Sequence, residues 1–92
     1  MPRPKSSRFL AHNPQVTYYK PQGIPLKSLQ VVEITHEEWE ALRLKNVETL
    51  SQTEAAEQMK TSQSTFQRIL SSAYKKMSLA MVQGMAIKIM KQ

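Results

Sequence analysis

SQTEAAEQMKTSQSTFQRIL, residues 51–70, decides the fold. Ser51 followed by Glu54 is a capping box: the hydroxyl accepts from a first-turn amide and the carboxylate reaches back. It starts a helix over about 52–59 with Ala55, Ala56 and Met59 on its inner stripe. Lys60-Thr61-Ser62 is the turn, and Ser62 caps a further helix that begins at Gln63. Phe66, Ile69, Leu70, Ala73, Met77 and Ala80/Met81 recur at three- and four-residue steps, which carries this helix to about Gln83; Gly84 is a natural stop. Two helices joined by a three- to four-residue turn, the first short and rich in small residues, make a helix-turn-helix. Ala56 lets the helices cross closely, while Met59, Phe66 and Ile69 supply the apolar interface.

Upstream, Thr35 with Glu38 forms another capping box and starts a helix over about 36–45, with Trp39 and Leu42 on one face. Glu37, Glu38 and Glu40 crowd its first turns, where the helix dipole favours acids, and read as a solvated face. The β-branched segment 30–34 (QVVEI) and the alternating segment 86–90 (AIKIM) are candidate strands, pairing within the chain or with a partner. All five prolines lie in residues 1–25, which excludes a long helix there. Residues 1–29 therefore read as a basic, extended arm, anchored by Phe9, Tyr18, Tyr19 and Ile24, and residues 30–92 as the helix-turn-helix domain. The expected fold is mainly α: a three-helix core with a proline-rich arm and two short strands.

The charge is distributed in blocks. Residues 1–30 carry +5, residues 31–59 carry −5, and residues 60–92 carry +6. Basic flanks of this kind suit a polyanionic partner. The leading edge of the third helix adds short polar side chains that can enter a major groove. Ser62, Gln63, Ser64, Gln67 and Arg68 are the candidates to face bases, since Gln can pair with adenine and Arg with guanine or phosphate. Lys60, Lys75 and Lys76, with Arg3, Lys5 and Arg8 of the arm, are the candidates for phosphate or minor-groove contacts. Double-stranded DNA is the expected partner, in transcription regulation. The alternative is a protein-interaction module, with the same helices docking on RNA polymerase or on a second copy.

Other chemistry finds little footing. With no cysteine and two widely separated histidines, His12 and His36, neither a thiolate metal site nor a histidine pair is encoded; both histidines read as solvent-exposed. There is no nucleophile–base set, Ser71 and Ser72 reading as helix surface, and no glycine-rich phosphate loop, so neither an enzyme nor a cofactor is expected. No apolar run is long enough for a membrane span and no secretory leader is visible, which makes the expected location cytoplasmic. Six methionines suggest an adaptable apolar surface: Met77 and Met81 read as core, while Met85 and Met90 suit a dimer contact within the segment Met77–Met90.

Several runs carry a resemblance: MPRPK at the start, VTYYKPQGIPL at 16–26, EEWEALRL at 37–44 and LSQTEAAEQMKTSQSTFQRILSSAYKK at 50–76. Together they resemble the domain of unknown function 134 family (UPF 0251), small prokaryotic proteins regarded as DNA-binding. The helix pair is also similar to region four of sigma-70-type factors, which implies a three-helix core and a place in transcription. The chain departs from the family pattern at two places. It has SRFLAH at 7–12, where many relatives carry cysteine, and Lys60 where most have glycine. A lysine in the left-handed conformation expected there costs about 1 kcal/mol.

Overall fold

A computed structural model describes residues 12–91. Three helices and a three-stranded sheet form the domain: β1 (Tyr18–Tyr19), β2 (Val31–Ile34), α1 (His36–Leu42), α2 (Gln52–Gln58), α3 (Gln63–Gln83) and β3 (Ala86–Ile89). The fold is mainly α, as the sequence implies. Both capping boxes are formed: Thr35 and Ser51 each accept from the amide of the glutamate three residues on, and each glutamate accepts from the cap amide.

The core fills the angle between the helices. Ala41, Leu44, Ala55, Ala56, Met59, Phe66 and Leu70 are buried together, with Leu42, Leu50 and Ile69 packed against them. Phe66 and Met59 are fully enclosed, and a buried side chain of this size contributes about 1.5–3 kcal/mol.

The sheet has the order β1-β3-β2. β2 and β3 are parallel, with Val32 opposite Ile87 and Ile34 opposite Ile89. The connection between them is the whole three-helix unit. β1 closes the other side, antiparallel, with Tyr18 opposite Lys88 and Tyr19 opposite Ile87. The sequence places 18–19 in the arm; in the structure these residues are anchored by their backbone as a strand, and both tyrosines stay exposed. β3 therefore has both edges occupied within its own chain, which withdraws it from strand pairing with a partner.

The first helix was expected to reach residue 45. It leaves the α-helical pattern after Leu42 and continues as a wider π turn over Arg43–Val47, closed by the Glu48 amide on the Arg43 carbonyl. Thr49 then adopts a left-handed conformation (φ 57°) and the Leu50 amide bonds to the Leu44 carbonyl. This detour keeps Leu44 in the core while turning the chain toward α2.

Four side-chain readings are corrected. His36 is buried, its Nε2 donating to the His12 carbonyl; only His12 is exposed. Glu38 and Glu40 are buried rather than solvated, because each has dedicated partners: Ser72 and Lys76 for Glu38, a two-bonded Arg43 for Glu40. Met77 and Met81 are not core. Ala73 and Ala80 occupy the inner line of α3, where small side chains permit close approach, and Met81 stands largely in solvent. Ser72, read as helix surface, is half-buried against Glu38.

Candidate nucleic-acid interface

The turn between α2 and α3 is built by backbone geometry. Lys60 is left-handed (φ 55°), its amide bonds to the Glu57 carbonyl at 3.0 Å, and the Thr61 amide reaches back to Ala56 at 3.0 Å. These two bonds are a Schellman motif, normally completed by glycine. Ser62 follows in extended conformation; its hydroxyl accepts from the Thr65 amide at 3.1 Å and donates to the Thr65 hydroxyl at 2.9 Å. The chain thus reverses within Lys60–Ser62, and α3 begins with its polar end projecting beyond the core.

At about 100° per residue, Ser64, Gln67, Arg68, Ser71 and Lys75 fall within an arc of about 100° on α3. All five are exposed. Phe66, Leu70, Ala73 and Ala80, which are buried, lie on the opposite side. Burial of the inner line therefore fixes the rotation of α3 and turns this polar arc outward.

Within the arc, Gln67 Nε2 donates to the Ser71 hydroxyl at 3.1 Å, which steadies its amide. The sequence places Ser71 on the helix surface but not among the base-facing residues; the signal for its role is the four-residue spacing from Gln67 on one helix face. Arg68 borders a shallow cleft with Thr35, Glu37 and Ser72, between the starts of α1 and α3.

The remaining candidates are placed differently. Gln63 lies off the arc, toward α2, where its Oε1 accepts from Thr53 Oγ1 at 3.4 Å. Ser62 is committed to the cap. Lys60 is exposed at the turn. Lys76 is turned inward: its Nζ donates to the Glu33 carbonyl and to Glu38 Oε1, each at 2.9 Å. Burial pushes the Glu38 carboxyl up, but bonds from Ser72, Thr35 and Lys76, together with the lysine's charge, hold it below the ordinary glutamate value of 4.5. Arg3, Lys5 and Arg8 lie outside the described residues.

The family described as Protein of unknown function DUF134 matches residues 1–92. The chain belongs to that family. Its relatives include a UPF0251 protein of Caldanaerobacter subterraneus subsp. tengcongensis, 51% identical over 97% of this chain and 75% of the relative. A UPF0251 protein of Dehalococcoides mccartyi strain 195 is 49% identical over 97% of this chain and 76% of the relative. One from Halothermothrix orenii is 41% identical over 96% of this chain and 65% of its own length. No solved structure matches the DUF134 chain. Among its described residues, no helix is long and apolar enough to cross a membrane.

Proposed function

We propose that this DUF134 protein binds double-stranded DNA in a sequence-dependent manner through α2 and α3, as a regulator of transcription. One observation carries the reading: a tight left-handed turn sets α3 against α2 so that an exposed polar arc faces away from the core at the helix's leading end. An α-helix fits the major groove, where each base pair presents a distinct donor and acceptor pattern. Gln67 and Arg68 supply the side chains suited to adenine and guanine, and Ser64 the short group that lets the helix approach. Lys60 and Lys75, at the turn and along the same arc, are the phosphate contacts. Lys76 leaves that set, because its ammonium is held by Glu38 and the Glu33 carbonyl.

Selection from a pool of random duplexes tests the reading. A recovered motif is expected, with affinity that falls by roughly 0.9 log units per phosphate contact for each tenfold rise in salt. Failure to recover any motif, or affinity insensitive to salt, would refute it and leave the helices as a protein-docking surface.

A further inference from the structure

The face of α3 a quarter-turn away from the polar arc is apolar and uncovered. Tyr74, Met77 and Met81 form a stripe along it. Beside them run two adjoining depressions of about 600 and 360 Å³, which share Tyr19, Met77 and Ile87 and extend from Val47 to Gly84. Charge is nearly absent from this trough. Arg43, at one end, is held by Glu40 and Glu48, and Lys20, at the other, donates to the Ile24 carbonyl. An ionic partner would find little to bind.

We propose that this trough is the contact with a second copy of the chain, α3 lying antiparallel on α3 of the partner about a two-fold axis near Met77. Area is the first argument. Tyr19 is 54% exposed, Val47 74%, Tyr74 42%, Met77 38% and Met81 79%. With roughly 150–250 Å² for each such side chain when bare, these five leave on the order of 600 Å² open. That matches the apolar share of one partner's ~800 Å² in a standard interface. An uncharged stripe is also self-complementary, since a two-fold contact sets the same patch on itself with no like charges opposed.

Spacing is the second argument, and it rests on the DNA-reading role proposed above. The base-reading residues Ser64, Gln67 and Arg68 centre near position 66, eleven residues before Met77, or about 17 Å at 1.5 Å per residue. Two antiparallel helices crossing at Met77 hold their reading ends about 34 Å apart, allowing an axis separation of 8–10 Å. One turn of DNA separates paired half-sites by about 34–36 Å. The quarter-turn between stripe and arc places both arcs on the same side of the dimer, facing one duplex.

Because β3 is the central strand, shortening the chain at Gly84 would damage the sheet; point variants of exposed residues test the contact instead. The intact chain is expected to sediment as a dimer at micromolar concentration. Met81→Glu should weaken self-association at least tenfold with an unchanged circular dichroism spectrum. In this cysteine-free chain, Met77→Cys should cross-link efficiently with a short bismaleimide, and Glu57→Cys, exposed on α2, should not. The selected DNA motif should contain two inverted halves about one helical turn apart. A wild type that stays monomeric, free and on DNA, overturns the proposal, as does a dimer indifferent to Met81→Glu that fails to cross-link at residue 77. A dimer that meets both tests but recovers no motif overturns DNA reading and the spacing argument, and leaves the interface standing.

Discussion

Lys76 Nζ lies 2.9 Å from Glu38 Oε1, joining residues 38 positions apart and tying the middle of α3 to the capping box of α1. The same ammonium bonds to the Glu33 carbonyl on β2, so one side chain fastens helix, helix start and strand. Lys76→Ala is expected to destabilise the fold by about 1–3 kcal/mol, the scale for removing one partner of a buried, charged hydrogen bond. Thermal unfolding measures this directly. Lys75→Ala, one residue away but exposed, should leave stability nearly unchanged.

Glu38 also sets an acid limit. Its folded-state carboxyl titrates below 4.5, so it favours the folded state above its unfolded value. That contribution is lost as pH falls through the folded value. Stability should therefore drop below about pH 4.5, and Glu38→Gln should show a shallower drop from a lower starting point. Denaturant unfolding between pH 7 and pH 3 compares the two; identical slopes would mean that Glu38 does not carry the acid response.

The turn makes a separable prediction. Lys60 holds a left-handed backbone that glycine adopts without strain. Lys60→Gly should raise stability by about 1 kcal/mol, or about 4–8 °C in midpoint for a domain of this size. If Lys60 contacts phosphate, the same change should weaken binding to all duplexes alike and lower the salt slope by about one unit. A more stable protein with an unchanged salt slope would keep the turn argument and remove Lys60 from the footprint.

Local rules and long-range ones were not equally legible in the sequence. Thr35, Ser51, Ser62 and Gly84 announce helix ends because each satisfies orphan backbone groups within a few residues, and α3 runs over the expected 63–83. The π turn was not legible, since it depends on tertiary packing that buries Leu44 and sets Leu50 against the core around a short corner. Nor was the sheet order, in which Tyr18–Tyr19 and Ala86–Ile89 meet from opposite ends of the chain. Met77 and Met81 were misplaced because apolar character was equated with burial. By helix phase Met77 falls among the buried Phe66, Leu70 and Ala73, so its exposure is set by what packs along α3 and not by phase. The two lysines divide likewise: helix phase sets Lys75 on the polar arc and Lys76 about 100° further round, but that Glu38 holds Lys76 shows only in space.

Gln67 provides the sharpest test of base reading. Its amide nitrogen is steadied by Ser71 at 3.1 Å, it is exposed, and it lies on the polar arc of α3. If it pairs with a base edge, Gln67→Ala should cost about 1–3 kcal/mol at the selected duplex. The loss on a scrambled duplex should be much smaller, because base contacts specify and phosphate contacts position. Ser71→Ala should reproduce part of the effect, since it frees the amide without removing it. Lys75→Ala should weaken both duplexes alike. Paired titrations with circular dichroism as the folding control separate these outcomes. Equal losses on both duplexes for Gln67→Ala would mean that α3 holds the backbone without reading sequence, and the polar arc would then be a phosphate-tracking face.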